Sequence, residues 1–265
     1  MDLMNDLERI NRALDEATKV LGMFTPGRIA AVQKRGGDPV TEADQTIDAM
    51  LREMLPRHDE GWLSEETVDD TRRLSASRVW VVDPVDGTRE FVDGIPEFCV
   101  SIGLVEDGIA IAGGIANPAM GTRVVGSLDS GVWLNGVAAS VRSIDAIAGV
   151  EVLCSRSEVR RGEWDIFAGQ GIECRPMGSV AYKMSLVAAG LADATWTPVP
   201  KREWDVAAGT ALVMAGGGLV FLPDGSTPAF NRPDTRIPGL AAAPVGIADE
   251  VNEMFARQMA LIATG

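Results

Sequence analysis

The chain reads as an α/β protein, with an antiparallel α+β first half and a second half in which strands alternate with helices. Three observations predict this. Apolar residues recur at helical spacing from residue 3 to residue 21. Two turn signals, Glu106-Asp107-Gly108 and Asn135-Gly136, follow apolar runs. Beyond residue 150, short apolar runs alternate with helical stripes.

Taken in order, Leu3, Leu7, Ile10, Leu14, Ala17 and Leu21 form one face of a long opening helix. A loop follows, Gln33-Lys34-Arg35-Gly36-Gly37-Asp38-Pro39, read as a flap or a plain surface connection. Thr41-Glu42-Ala43-Asp44 has the spacing of a capping box, and Ile47, Met50, Leu51, Met54 and Leu55 continue the helix behind it until Pro56. Strands are expected at 98–104 and 109–115, around Glu106-Asp107-Gly108, and at Val132-Trp133-Leu134 before Asn135-Gly136. Small residues at 144–149 mark a boundary, giving expected domains 1–146 and 147–265. Next come a strand at 151–154, a helical stripe of Val180, Met184, Val187 and Leu191, and another of Val206, Thr210, Val213 and Met214 stopped by Gly216-Gly217-Gly218. Strands at Leu219-Val220-Phe221 and 240–243 and a terminal helix at 247–262 complete the reading.

A chain of 265 residues buries a substantial core without staples. Its three cysteines, Cys99, Cys154 and Cys174, are widely spaced with no Cys-x-x-Cys pair, which argues against a disulfide framework or thiolate zinc site and suits a reducing cytoplasm. The N-terminus lacks the pattern of a secretory signal, and no apolar stretch has the length of a membrane span. A net charge of −14 without any Lys/Arg-rich run disfavours nucleic-acid polymers and anionic membranes as partners.

The most informative segment is Val79-Trp80-Val81-Val82-Asp83-Pro84-Val85-Asp86-Gly87-Thr88. A buried strand there delivers two carboxylates to its C-terminal edge, where a tight turn exposes backbone N–H groups. Carboxylates gather hard cations, and clustered N–H groups gather phosphate. Left uncompensated, the Asp83/Asp86 pair would cost roughly several kcal/mol in desolvation and repulsion. Other acids stand out at Asp44, Glu65-Glu66 and Asp205. Singly each has a plainer reading: a cap for Asp44 and Asp205, a solvated loop for Glu65-Glu66. The sole histidine, His58, lies outside these motifs, and the Cys154/Arg160 spacing lacks the glycines of a phosphate-wrapping loop.

The chain resembles the magnesium-dependent, lithium-sensitive phosphatases of the inositol monophosphatase superfamily. The resemblance runs from residue 38 to about residue 218, through Asp38-Pro39-Val40-Thr41-Glu42-Ala43-Asp44, Ser64-Glu65-Glu66, Asp83-Pro84-Val85-Asp86-Gly87-Thr88 and Trp204-Asp205-Val206-Ala207-Ala208-Gly209, in the family's order. It implies a layered α-β-α-β-α sandwich, two or three Mg²⁺ per active site, a small phosphorylated substrate, a homodimer and a cytoplasmic enzyme. It further implies that Glu65, Asp83 and the Val85 carbonyl hold one Mg²⁺, that Asp83, Asp86 and Asp205 hold a second, and that Glu65 helps place a third. Asp44 and Thr88 would act on the nucleophilic water. Gly87 and Thr88 would bind phosphate through their N–H groups, with Gly178 and Ser179 on the substrate side.

Departures from the family's pattern bear on the backbone near the first metal, at Ser64, and on substrate, at Pro198 and at Arg89-Glu90-Phe91. Ser64 stands where the family has Gly, and Pro198 stands where inositol-specific members carry an acid, with Glu203 as a partial substitute. Arg89-Glu90-Phe91 is closer to the branch acting on 3′-phosphoadenosine nucleotides. Lys201 and Arg202 are read as contacts to a second phosphate or as solvated loop charges, and Lys34 as an approach to the site from above or as plain surface. The expected substrate is therefore 3′-phosphoadenosine 5′-phosphate ahead of inositol 1-phosphate, then histidinol phosphate or a sugar phosphate. A non-catalytic metal- or phosphate-binding regulator is the reading from another class.

Overall fold

The opening stripe folds as expected: α1 (Leu3–Leu21) buries Leu7, Ile10, Ala13, Leu14, Ala17 and Leu21. In this computed structural model, which describes residues 3–33 and 39–264, Lys34 and Asp38 lie outside the described residues. Helix α2 (Glu42–Met54) starts on the predicted capping box, with the Thr41 N–H donating to Asp44 Oδ2 at 2.8 Å. Both helices cover one face of a seven-stranded sheet, against Trp80, Val82, Val100, Ile102 and Leu104.

That sheet runs Gly61–Ser64, Arg78–Asp86, Cys99–Glu106, Ile109–Asn117, Thr122–Ser127, Gly131–Leu134 and Val137–Ala139 in spatial as in sequence order. Both predicted turns carry positive φ at their two central residues, 48° and 82° at Asp107-Gly108 and 50° and 82° at Asn135-Gly136, as a tight hairpin requires. The sheet departs from the antiparallel expectation at one edge, where Gly61–Ser64 pairs parallel with Arg78–Asp86. A parallel pair needs a crossover of about a dozen residues, and 65–77 supply it. A short helix, α3 (Thr88–Asp93), also follows the Asp86 strand end without a periodic signal in the sequence.

The second sheet has the order Ile172–Met177, Val150–Ser155, Ala194–Thr197, Leu240–Pro244, Gly218–Phe221, parallel across the first two pairs and antiparallel across the last two. The five-residue α4 (Arg156–Arg160) follows the strand Val150–Ser155 directly and lines the cleft. Helices α5 (Val180–Ala188) and α6 (Glu203–Ala215) lie between the two sheets and share one apolar core with both. Leu191 falls beyond α5, since Gly190 turns the chain at φ 68°. Small residues set the spacing of this middle layer. A Cβ on Gly103 would meet the Ala208 nitrogen at 2.9 Å, and one on Gly113 the Ala208 carbonyl oxygen at 2.6 Å. The Ala207-Ala208-Gly209 run thus lets α6 lie against bare backbone.

Beyond the second sheet, α7 (Ala248–Thr264) closes a third core of Trp164, Phe167, Trp196, Phe221, Ile247, Val251 and Phe255. The layers are α-β-α-β-α, the expected sandwich. The first sheet ends at Ala139 and the second begins at Val150.

Candidate active site

Four elements bring the acids together at one end of the sandwich. The strand Arg78–Asp86 supplies Asp83 and Asp86, and its register shifts between them, so that Asp83 lies opposite Ser101 and the ladder resumes with Asp86 opposite Cys99. Glu65 follows the parallel edge strand, its N–H donating to the Val82 carbonyl at 3.3 Å. Asp205 comes from the first turn of α6, its Oδ2 accepting the Arg202 N–H at 2.8 Å. Asp44 comes from the first turn of α2.

Glu65, Asp83 and Asp205 each offer an oxygen, and these oxygens lie within 4.8 Å of one another. The arrangement is electrostatically costly. Burial drives the Asp83 carboxyl well above the usual range, with Glu65, Asp86 and Asp205 adding to the shift. Burial and the Asp86 charge raise Asp205 to about 7. Asp86 is raised by burial too, against the donors Ser179 Oγ and the Ala181 N–H, each 2.6 Å from its Oδ2. Three carboxylate oxygens converging at one point, two of them on aspartates whose proton affinity burial raises, make the donor set of a hard divalent cation, so the residues present fit Mg²⁺.

Asp44 and Thr88 meet beside this cluster. Thr88 Oγ1 lies 3.1 Å from Asp44 Oδ1 and 2.9 Å from the Val85 carbonyl oxygen. The other Asp44 oxygen accepts Thr41 Oγ1 at 2.5 Å, which leaves the buried carboxylate fixed in orientation. The turn before Thr88 depends on Gly87, whose φ is 93° and whose Cβ would sit 2.8 Å from the Glu97 carbonyl oxygen. Gly87→Ala is therefore expected to cost about 1–3 kcal/mol of stability from the strained φ alone. It should also lower kcat by displacing Thr88. A melting curve and a rate assay check both, and a variant unchanged in each would show the turn to be tolerant.

Ser64 is not among the positive-φ residues, so a side chain there is unstrained, and its hydroxyl donates to Asp48. Gly178 and Ser179 line the cleft, but the Gly178 N–H is taken by Glu97 Oε2 at 2.7 Å and the Ser179 hydroxyl by Asp86. Lys201 and Arg202 line it as well; Arg202 is exposed, bonded to Thr235 Oγ1 at 3.2 Å and stacked over Trp204. Glu203 does not join the site. It is fully buried on the other side of α6, where its two oxygens accept the N–H groups of Asn231 and Arg232 at 2.8 and 2.9 Å. Its place beside Trp204-Asp205 misled, because adjacent helical residues point about 100° apart. His58 lines a separate cleft that contains none of the clustered acids. The sequence reading missed Lys183, a buried lysine of α5 in the cleft wall.

The profile of the inositol monophosphatase family matches residues 7–260. The chain belongs to the inositol monophosphatase family. It is 33% identical over 234 residues to an inositol monophosphatase of Mesembryanthemum crystallinum, covering 82% of this chain and 83% of that one. It is 32% identical over 232 residues to a fructose-1,6-bisphosphatase/inositol-1-monophosphatase of Thermotoga maritima, covering 81% and 84%. The solved structure of a Thermotoga maritima IMPase superposes with a TM-score of 0.80 at 25% identity over 98% of each chain. Family members are phosphoric monoester hydrolases. Among the described residues no helix is long and apolar enough to cross a membrane.

Proposed function

We propose that this chain hydrolyses small phosphate monoesters with Mg²⁺, and that inositol 1-phosphate stands ahead of 3′-phosphoadenosine 5′-phosphate among its substrates. The observation that carries the chemistry is the Glu65–Asp83–Asp205 cluster beside the Asp44–Thr88 pair. The substrate order reverses the sequence expectation, because the relatives quoted above are named for inositol monophosphatase activity and none for a nucleotidase.

Glu65, Asp83, Asp86, Asp205 and the Val85 carbonyl would hold the metal. When bound, Mg²⁺ supplies a Lewis acid that lowers the pKa of water and neutralises charge on the phosphoryl oxygens. The residues do the rest. Asp44 accepts a proton from the attacking water, and Thr88, oriented by Asp44 and Val85, fixes that water's position. The N–H groups of Gly87 and Thr88 orient the phosphate for in-line displacement. Asp86 ties the strand end to the start of α5, which holds the two halves of the cleft in register.

Release of inorganic phosphate with Mg²⁺ present tests the reading on inositol 1-phosphate, 3′-phosphoadenosine 5′-phosphate, fructose 1,6-bisphosphate and histidinol phosphate. Inositol 1-phosphate is expected to exceed the nucleotide in kcat/KM. The opposite order would restore the sequence expectation, and no release from any monoester would end the phosphatase reading.

A further inference from the structure

The cleft holds acids beyond those of the metal end. Asp93 is exposed to solvent, and Glu158 is buried with its oxygens taken by Thr197 Oγ1 at 2.5 Å and Trp164 Nε1 at 3.0 Å. Glu90 is left. It is half-buried in the cleft wall, one turn into α3 from Asp86 and outside the Glu65–Asp83–Asp205 cluster. Among the described residues, its carboxylate makes no ion pair and accepts no hydrogen bond from another residue, its own N–H being its one donor.

The neighbours of Glu90 place it firmly without satisfying it. Its backbone carbonyl accepts the Ile95 N–H at 2.8 Å, which ties down the end of α3. Its side chain fills the space that a side chain at residue 178 would take: a Cβ on Gly178 would sit 2.5 Å from Glu90 Oε1. The nearby charges are spent on one another. Arg156 donates from Nε to Glu97 Oε2 at 2.7 Å, and the same oxygen accepts the Gly178 N–H at 2.7 Å. Burial raises the proton affinity of the Glu90 carboxyl, and Asp86 and Glu97 add to the rise, against its own N–H and Arg156. A carboxylate held in such a place carries a desolvation cost that only donors offset. The cleft supplies none, and its volume of about 840 Å³ leaves room for a ligand that extends past a single phosphate.

We propose that the Glu90 carboxylate accepts hydroxyl groups of the substrate's alcohol portion, so that the cleft selects phosphate monoesters of polyhydric alcohols over esters of the same size without hydroxyls. This rests on the phosphatase reading above and extends it to the leaving group. Two carboxylate oxygens can take two neighbouring hydroxyls at once. An ammonium would also neutralise the acid, but Arg156 and Lys201 line the same cleft and repel a cation entering it, whereas a hydroxyl donates without a charge. The sequence marked Arg89-Glu90-Phe91 as a substrate clue; of the three, Phe91 is sealed in the core and Glu90 is the half-buried acid of the cleft.

The test compares kcat/KM for inositol 1-phosphate with that for cyclohexyl phosphate, the same ring without free hydroxyls, with Mg²⁺ present. It uses wild type, Glu90→Ala and Glu90→Gln. Glu90→Gln keeps the volume and one acceptor oxygen, the safeguard should Glu90→Ala fail to fold, as a melting curve would reveal. The expected result is a preference for the inositol ester in wild type that falls about tenfold or more in Glu90→Ala and by a smaller factor in Glu90→Gln, the loss lying mainly with the inositol ester. In parallel, saturation-transfer NMR with free inositol, which needs no turnover, should show contact in wild type that Glu90→Ala weakens. A preference unchanged within twofold in the folded variants, or equal losses on both esters, overturns the proposal, the latter because Glu90 would then act on groups the two esters share. A wild-type preference for the amine-bearing histidinol phosphate that disappears in Glu90→Ala overturns the hydroxyl assignment. Wild type inactive on both esters would count against the phosphatase reading, while the inositol signal would still decide the role of Glu90, its absence from wild type overturning it.

Discussion

Asp83→Asn is expected to abolish turnover while leaving the fold intact and raising the melting temperature of the metal-free protein. Asp83 is the buried centre of the acidic cluster, and its carboxyl is driven well above the usual range by burial and by Glu65, Asp86 and Asp205. An amide of the same shape keeps the acceptor for the Val85 N–H, now 3.0 Å from Asp83 Oδ1. It removes the charge that repels the other acids, and with it a ligand charge for the cation. Lewis-acid stabilisation is worth several kcal/mol at the transition state, and each 1.36 kcal/mol is a decade of rate, so the loss should reach roughly 10³-fold in kcat. The stability gain in chelator should appear as a rise of a few degrees for a chain of this size. Wild-type turnover in the variant would take Asp83 out of the metal site. A metal-free protein that melts lower than wild type would show that the carboxylate is better satisfied than its surroundings indicate.

Chelation should have the second large effect: turnover falls to background, and the stability of the metal-free protein declines as pH rises. The sign follows from the raised carboxyls. Asp205 titrates at about 7 in the folded chain and Asp83 is shifted upward as well, whereas an unfolded Asp titrates near 3.9. Between about pH 4 and about pH 7 the folded state therefore holds protons that the unfolded state has lost, and stability drops across that window. Mg²⁺ takes over the role of those protons. It should flatten the profile and raise the melting temperature most at about pH 8, by an amount equivalent to about 2.7 kcal/mol at a hundredfold excess over Kd. Calorimetric melting at several pH values, with Mg²⁺ and with chelator, reads this directly. A chelated protein equally stable at about pH 5 and about pH 8 would show that the acids do not face one another unscreened.

Much of the site was legible because its parts obey local rules. The Thr41–Asp44 capping box is a four-residue pattern, and the same Asp44 that caps α2 then bonds Thr88. The acids of Asp83-Pro84-Val85-Asp86 sit at the end of an apolar strand, where alternation and burial already make them anomalous. What failed did so where neighbours in space differ from neighbours in sequence. Glu203 adjoins the Trp204-Asp205 motif yet turns to Asn231 and Arg232. The strands Ile172–Met177 and Ala194–Thr197 were not foreseen, the first because it is an exposed edge interrupted by Pro176, the second because Ala194-Thr195-Trp196-Thr197 has no apolar run. Lys183 lay hidden in the apolar stripe of α5, where a charge carries no signal until the helix is seen between two sheets with one flank open to the cleft.

The sequence by itself determined the helices with an apolar period, the two tight hairpins, the order of the acidic motifs and the family they belong to. Each depends on residues a few positions apart, through backbone sterics, capping or side-chain periodicity. Only the tertiary structure decided that Gly61–Ser64 pairs parallel, that Glu65, Asp83 and Asp205 converge within 4.8 Å, and that Lys183 faces the cleft while Glu203 turns away from it. The place of Asp205 and Glu203 depends on how far α6 sinks between the sheets, which the close approach of Ala208 to Gly103 and Gly113 sets. Packing of that kind couples residues about a hundred positions apart, and no local pattern in the chain records it.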